Sequence, residues 1–328
     1  MRPFKYTRAT DPNGAASAVG ANPQAKFLAG GTNILDLMKE DVERPNELVD
    51  LTRLKLAEIK ETGGGISIGA LATNTDTANH PLIRRDYPLL TQAIVAGASG
   101  QLRNMATNGG NLMQRTRCQY FYDTAMPCNK REPGSGCGAL EGLNRMHAIL
   151  GWSDSCVATY PGDMATALYA LDALVRLRSV DGRDRTLPVN EFHRLPGDTP
   201  QRDNNLEHGE LIVAIELPKS NFAGNSYYLK VRDRASYAFA LVAVAAALEL
   251  DGSNIKQARV VLGGVAHKPW RSEEAEAALA GKSASEESFR AAADLALRDA
   301  KPLAHNAYKV ELAKRAIVRA LMCASKLA

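Results

Sequence analysis

The chain has 328 residues, and 40 lysines and arginines against 36 aspartates and glutamates give it a formal net charge of +4. Hydrophobic residues make up 45% of the sequence, which excludes an intrinsically disordered protein. So small a charge gives no footprint of nucleic-acid binding, and short basic pairs such as Arg115 and Arg117 are interpreted as solvated or ion-paired surface. The longest apolar run, Ala238–Leu248, is too short for a membrane span of about 20 residues. The N-terminus lacks the apolar region of a secretory signal, so we expect that the chain does not export itself.

Apolar periodicity and turn residues predict alternating short strands and helices in the first two thirds of the sequence. The predictions are a strand at Lys26–Leu28, a helix starting at Ile34–Met38, strands at Leu48–Leu51 and Ile66–Ile68, helices at Thr73–Asn79, Leu89–Ala98 and Asp163–Leu174, a strand at Val175–Val180, a turn at Asp181-Gly182 and a strand at Glu210–Leu217. Asn221–Asn225 is the candidate linker to a second domain.

After this linker the sequence predicts longer strands and then two helices. The strands are expected at Tyr227–Arg232, Phe239–Leu250 and Gln257–Gly263, with a hairpin turn at Asp251-Gly252. A capping-box match at Ser283 and Glu286 predicts the start of one helix. The last helix is predicted from an apolar face formed by Val310, Ala313, Ile317 and Leu321.

Between these regions, Gln101–Trp152 has little apolar periodicity and is rich in Gly, Asn, Arg and Cys. Long segments of this kind in compact domains are usually functional, so we expect it to wrap a cofactor. Four of the five cysteines fall in or just after it, within 39 residues, namely Cys118, Cys128, Cys137 and Cys156. Their spacings of 10, 9 and 19 residues contain no C-x-x-C, so neither a zinc ribbon nor a ferredoxin motif is present. The residues alone leave an iron–sulfur cluster, structural zinc and unliganded thiols open, with His147 interpreted as structural and Cys323 as a thiol outside the site.

Two glycine loops contain the residue types that bind phosphate. The first is Ala29-Gly30-Gly31-Thr32-Asn33 and the second is Thr107-Asn108-Gly109-Gly110-Asn111. Paired glycines let backbone approach a ligand closely, and exposed amides bind phosphate oxygens. Neither loop is a Rossmann G-x-G-x-x-G or a Walker A motif. Two such loops in one domain indicate two clamps on a pyrophosphate.

Together, AGGTN and TNGGN resemble the flavoprotein subunits of the molybdenum hydroxylases, the group of xanthine dehydrogenase and carbon monoxide dehydrogenase, over essentially the whole chain. The resemblance implies an α+β fold. A two-part FAD-binding domain of the vanillyl-alcohol-oxidase (PCMH) type would span residues 1–220, with an insertion at about 115–157. A smaller α/β C-terminal domain of the CO dehydrogenase flavoprotein type would span residues 225–328.

The resemblance also implies the FAD site residue by residue. The expected contacts are the two glycine loops with the flanking Leu28, Ile34 and Leu35, then Asp163 in PGDMATAL, Leu211 and Ile212 in GELIVAIELP, and Lys230 in YLKVRDRASYAF. Outside the resemblance, Asp163 also fits a helix N-cap, Leu211 and Ile212 fit plain core, and Lys230 fits an exposed lysine.

The string TRCQYFYDTAMPCNKREPGSGCGALEG resembles the subtype found in periplasmic aldehyde oxidoreductases. There, the four cysteines hold a 4Fe-4S cluster; a related insertion occurs in 4-hydroxybenzoyl-CoA reductase. The implied function is electron transfer within a complex, with a large molybdopterin-binding partner that oxidises aldehyde and a small 2Fe-2S partner. The implied location is the periplasm, reached by a partner's twin-arginine signal, with the cytoplasm as the alternative. Three alternatives remain open: a stand-alone flavin oxidoreductase, the flavin subunit of a 4-hydroxybenzoyl-CoA-reductase-like enzyme, and a zinc-stabilised binding module.

Overall fold

The computed structural model describes residues 1–327, which form three β-sheets with helices packed between and around them. The strands are β1 (Lys5–Arg8), β2 (Ala25–Leu28), β3 (Glu47–Asp50), β4 (Ile59–Thr62), β5 (Gly65–Gly69), β6 (Leu174–Arg178), β7 (Asp184–Pro188), β8 (Leu211–Pro218), β9 (Ser226–Val231), β10 (Val242–Asp251), β11 (Asn254–Gly263) and β12 (Trp270–Arg271). The helices are α1 (Pro12–Gly20), α2 (Ile34–Lys39), α3 (Asn74–Asn79), α4 (Pro81–Asp86), α5 (Pro88–Ala96), α6 (Gly100–Met105), α7 (Asn108–Leu112), α8 (Gln119–Tyr122), α9 (Asp163–Ala170), α10 (Val189–Phe192), α11 (Glu273–Leu279), α12 (Glu286–Ala296) and α13 (Tyr308–Ala324).

The first sheet is small and parallel, in the order β1-β3-β2. Its central strand β3 is buried along its whole length. The first glycine loop follows β2 directly, so it leaves the sheet at a carboxyl end. Ligands of parallel sheets bind at this end.

The second sheet has five strands in the order β4-β5-β8-β6-β7. Its central strand β8 pairs with β5 and β6, and begins with Leu211 and Ile212, which are both buried. Helices α5 and α9 lie in the core beside this sheet.

The third sheet is antiparallel, in the order β12-β11-β10-β9, and its strand β10 is buried on both faces over residues 242–248. Along β10, Ala243 and Ala245 pack into the core of the first domain, while Val242 and Val244 pack against the C-terminal helices α11, α12 and α13. Small alanine side chains on one face let the two domains approach closely.

The end of the cysteine-containing segment is attached to the C-terminal domain. The Asn144 side-chain oxygen accepts from the backbone N–H of His305 at 2.9 Å. The buried Lys309 ammonium group donates to the carbonyls of Met146, His147 and Gly264 at 3.1, 3.0 and 2.7 Å. The segment therefore lies between the two domains and contacts both.

Most predicted elements are confirmed to within a few residues, and the differences have local causes. The helix predicted at Asp163–Leu174 ends at Ala170, because Asp172 turns the chain with φ +52°. The strand predicted from Phe239 begins at Val242, after Tyr237 with φ +49°.

The C-terminal helices differ more from the prediction. The cap of α12 is Ser285 rather than Ser283, and its side chain accepts from the backbone N–H of Ser288 at 3.2 Å. Three helices follow the sheet instead of two, since α11 was missed. The candidate linker contains Phe222, which is buried in the core, so it is not a free tether. Within residues 1–327 no helix is both long and apolar enough to cross a membrane.

Candidate functional site

A cleft of about 590 Å³ opens between the first sheet and the start of β8. Its volume is in the range of small-molecule and cofactor sites. Eleven of the residues expected at the FAD line it, namely Ala29, Gly30, Gly31, Thr32, Asn33, Ile34, Thr107, Gly109, Gly110, Leu211 and Ile212. The fold thus brings together the two glycine loops, which lie about 75 residues apart in the sequence.

The first glycine loop packs directly against the end of α6. A Cβ added at Gly30 would lie 1.8 Å from the Met105 carbonyl oxygen, so no larger residue fits there. Gly31 has φ +71°, a conformation that glycine adopts without strain. Both glycines are therefore required for the shape of the loop itself, before any ligand is considered.

The second loop forms α7, and its two asparagines turn away from the cleft. Thr107 caps this helix by accepting from the Gly110 N–H at 3.3 Å. The Asn108 side chain donates to Thr77 at 2.7 Å and accepts from Asn74 at 2.9 Å. The Asn111 side chain donates to Asn74 at 2.8 Å. Both asparagines were expected at the FAD, but they do not line the cleft, and their amides stabilise the loop from its other side.

One polar atom of the cleft fits a ligand with oxygen acceptors. Asn33 accepts from the backbone N–H of Arg115 at 3.0 Å through its side-chain oxygen. Its Nδ2 is buried and has no hydrogen-bond partner in the protein. An unpaired buried donor is costly, so this atom fits an acceptor such as a phosphate or ribose oxygen of FAD.

Four other expected residues, Leu28, Leu35, Asp163 and Lys230, do not line the cleft. Asp163 and Lys230 bind each other instead, with 2.8 Å between the ammonium nitrogen and a carboxylate oxygen. Asp163 is not the N-cap of α9 either, since Gly162 holds that position. The exposed-lysine alternative for Lys230 is wrong, because its side chain is 4% exposed.

All four clustered cysteines line one pocket beside α8. Cys128 and Cys137 face each other across a short antiparallel bridge. Within the described residues, no three His, Cys, Asp or Glu side chains are arranged to hold a single metal ion. A structural zinc site would need four ligands around one ion, with Zn–S bonds of about 2.3 Å. A 4Fe-4S cluster takes one thiolate on each iron, which separates the four sulfurs.

Two of these thiols lie in an environment that favours their neutral form. Burial raises the pKa of Cys118 to about 12, and that of Cys156 to about 11, although the nearby Lys130 ammonium limits the latter rise. Such thiols ionise at neutral pH when they coordinate a metal. His147 contacts Cys118, with 3.1 Å between Nε2 and the sulfur, and burial lowers the pKa of this histidine to about 4. Cys323 lies on α13, outside this pocket.

A chain of charged side chains connects the pocket to the cleft, and it was not predicted from the sequence; Lys130 is buried, whereas Arg115 and Asp203 are partly exposed. Arg115 and Asp203 line the cleft, with 2.8 Å between Nε and Oδ2, whereas Lys130 lines the cysteine pocket and contacts Oδ1 of Asp203 at 2.5 Å. Burial alone would raise the pKa of Asp203, but Lys130 and Arg115 hold that pKa well below its usual range. Arg115 was expected to be ordinary surface, and neither Lys130 nor Asp203 has a sequence signal.

Comparison with known proteins identifies the class. The chain matches the FAD binding domain in molybdopterin dehydrogenase over residues 2–220 and the CO dehydrogenase flavoprotein C-terminal domain over residues 227–324. It is 52% identical to the aldehyde oxidoreductase FAD-binding subunit PaoB of Escherichia coli (strain K12), over 98% of each chain. It is 27% identical to the carbon monoxide dehydrogenase medium chain of Hydrogenophaga pseudoflava, over 98% of this chain and 96% of that one. The solved carbon monoxide dehydrogenase of Hydrogenophaga pseudoflava superposes with a TM-score of 0.77 at 27% identity, over 98% of this chain and 97% of that chain.

The chain therefore belongs to the FAD-binding subunits of the molybdenum hydroxylase family. It is an oxidoreductase subunit that binds FAD. The expected architecture, an FAD-binding domain followed by a C-terminal domain of the CO dehydrogenase flavoprotein type, is confirmed.

Proposed function

We propose that this chain is the FAD and 4Fe-4S electron-transfer subunit of a molybdenum-dependent aldehyde oxidoreductase. A large molybdopterin-binding partner would oxidise the aldehyde, and a small partner with 2Fe-2S clusters would pass the electrons to this subunit. The flavin would hand them to an external acceptor. One observation carries the proposal: the same domain has a cleft lined by both glycine loops and a pocket lined by four cysteines. The similarity to a protein named as an aldehyde oxidoreductase subunit supports the substrate class.

In this proposal the protein positions the flavin, which supplies the redox chemistry when bound. The first glycine loop would present backbone N–H groups to the diphosphate, and Asn33 Nδ2 would donate to an oxygen of the cofactor. The second loop would form a closely packed wall of the cleft instead, since the backbone N–H groups of residues 108–111 are already bonded within the protein. Leu211 and Ile212 provide the apolar wall of the cleft and exclude water from it. The Asn108 and Asn111 amides hold the second loop in place from behind.

Cys118, Cys128, Cys137 and Cys156 would ligate the 4Fe-4S cluster, which supplies one-electron transfer when bound. The ammonium group of Lys130 would favour the thiolate of Cys156, because it lowers the pKa of this cysteine against the effect of burial. Arg131 orders the loop by donating to the carbonyls of Tyr120 and Phe121, both at 2.8 Å.

The test is a visible absorption spectrum together with iron and flavin analysis of the purified complex. Flavin bands with a broad iron–sulfur shoulder and about four irons per chain at this subunit are the expected result. Cys128→Ser should abolish the iron signal of this subunit, and Cys323→Ser is the matched control that should retain it. Flavin without iron at this subunit would instead fit a flavin subunit or stand-alone flavin oxidoreductase that lacks the cluster. Zinc in place of iron would contradict the proposal outright.

We also propose a periplasmic location, reached by a twin-arginine signal on a partner subunit. The resemblance of the cysteine-rich segment to periplasmic aldehyde oxidoreductases supports it. Cell fractionation after co-expression with and without the partner's signal tests the location. Retention in the cytoplasm in both cases would contradict it.

A further inference from the structure

The side chain of Lys130 is 1% exposed, and a lysine this deeply buried needs hydrogen-bond and charge partners. All three hydrogens of its ammonium group have fixed acceptors. Nζ lies 2.6 Å from the Pro200 carbonyl, 2.5 Å from Asp203 Oδ1 and 2.6 Å from His267 Nε2. Pro200 and Asp203 belong to one segment and His267 to the C-terminal domain, so the ammonium group of Lys130, a residue that lines the cysteine pocket, is held at one point.

The neighbouring histidine is oriented to accept from Lys130 rather than to compete with it. His267 Nδ1 lies 2.8 Å from the Arg194 carbonyl oxygen, so it carries the hydrogen. Nε2 of the same ring is then the acceptor for Lys130. The ring is neutral in this arrangement, and the single carboxylate in contact with the ammonium group is Asp203.

Asp203 is shared between two cations. Its Oδ1 contacts Lys130 and its Oδ2 contacts Arg115, while Arg115 has a second carboxylate partner in Glu43. The four charges sum to zero. Lys130 shares its single carboxylate partner with Arg115, whereas Arg115 also has Glu43. Positive charge is therefore less compensated at Lys130, at the end of the chain that lies beside the cysteine pocket.

We propose that Lys130 is the positioned countercharge of the iron–sulfur centre, and that Asp203 sets how much of this charge the centre experiences. This inference rests on the 4Fe-4S centre proposed above. One-electron reduction adds one negative charge to the centre, and a fixed cation at its wall stabilises the reduced form more than the oxidised form. Lys130 therefore raises the reduction potential, and Asp203 moderates that effect. Both are positioning residues, since neither ligates iron.

The test is a redox titration of the holo-complex, followed by low-temperature electron paramagnetic resonance of this centre. Lys130→Met should lower the equilibrium constant for reduction at least tenfold, which is about 59 mV for one electron. Asp203→Asn should change the potential in the opposite direction, because it leaves the Lys130 charge uncompensated. Asp203→Glu keeps the charge and should restore the original potential. Lys314→Met is the control for a change of charge away from the centre, since that lysine pairs with Asp294 on the C-terminal helices.

Opposite shifts of the reduction potential in Lys130→Met and Asp203→Asn support the proposal. If the two residues had only a structural role, their variants would have no reason to shift the potential in opposite directions. Shifts in the same direction, or no shift in either variant, overturn it. If Lys130→Met loses its iron, the two Asp203 variants decide. A raised potential in Asp203→Asn with an unchanged potential in Asp203→Glu supports the proposal, and any other pair of results overturns it. Loss of iron from both neutral variants also overturns the proposal and assigns the pair to folding. Wild-type protein without iron contradicts the proposed cluster itself, which separates the two failures.

Discussion

The ammonium group of Lys230 lies 2.8 Å from a carboxylate oxygen of Asp163, and both side chains are buried. The pair joins β9 of the C-terminal sheet to the first residue of α9 in the FAD-binding domain. Tyr228 adds a 2.8 Å hydrogen bond to the other carboxylate oxygen, and Lys230 also donates to the Ala96 carbonyl at 3.1 Å. The ion pair therefore links the two domains.

Lys230→Met should destabilise the protein by about 3–5 kcal/mol, because it leaves the Asp163 carboxylate buried without its cation. The double variant Asp163→Asn with Lys230→Met should recover part of this loss. Chemical denaturation followed by circular dichroism measures both. The control is Lys256→Met, whose partner Asp251 is 3.9 Å away in an exposed pair; it should cost about 1 kcal/mol or less. Equal losses of unfolding free energy in Lys230→Met and Lys256→Met would argue against a stabilising buried ion pair between the domains.

Gly30→Ala should abolish FAD retention, because the new methyl group would displace the Met105 carbonyl from the first loop. Flavin absorbance per chain in the purified protein measures the effect. Gly64→Ala is the control, since a Cβ at Gly64 meets nothing within 4 Å. Full flavin content in Gly30→Ala would show that this loop does not clamp the cofactor.

Tyr160→Phe should weaken FAD binding about fivefold while the iron content is unchanged. Tyr160 follows the last clustered cysteine, and its hydroxyl donates to the carbonyls of Asn111 and Leu112 at 3.1 and 3.3 Å. Loss of these contacts costs about 1 kcal/mol and loosens the second glycine loop. Equilibrium titration of FAD into the deflavinated protein gives the affinity. Tyr308→Phe, which removes a bond to the Arg145 carbonyl, should bind FAD normally.

Acid should destabilise the protein partly through His193. Its Nε2 lies 3.0 Å from the Leu112 carbonyl and its Nδ1 lies 3.3 Å from the Tyr169 hydroxyl, and burial lowers its pKa from 6.5 to about 4. The charged or titratable groups that act on it are Asp203, His267 and Lys268. Between pH 6.5 and 4 the unfolded chain binds the extra proton, so the stabilisation present above pH 6.5 is lost at about 1.4 kcal/mol per pH unit as the pH falls.

His193→Gln keeps a polar side chain at this position but does not titrate. Its free energy of unfolding should therefore change less steeply with pH over the same interval than that of the wild type. Denaturant unfolding at a series of pH values measures the two slopes. Parallel slopes would mean that His193 does not contribute to the acid sensitivity.

The sequence predicted the parts of the site that depend on local chemistry. The glycine pairs and the four clustered cysteines are recognisable because their composition and spacing are unusual in themselves. The side-chain directions were not predictable, since Asn108 and Asn111 both bond to the distant Asn74 and do not line the cleft. Contacts between distant residues were also missed. Lys130 and Asp203 are 73 residues apart and Asp163 and Lys230 are 67 apart, and nothing local to any of them specifies a partner.

Residues 144–148 are attached to His305, Asn306 and Lys309, and this attachment has a consequence for biogenesis. The carbonyls of His147 and Ala148 accept from the buried Asn306 side chain at 3.2 and 3.1 Å, so the segment that carries the cysteines also seals the domain boundary. If the proposed cluster binds, we expect its insertion to order this segment together with the boundary that it contacts. A chain that has not received iron would then expose the domain boundary to proteases. Limited proteolysis would distinguish subunits that carry the cluster from those that lack it.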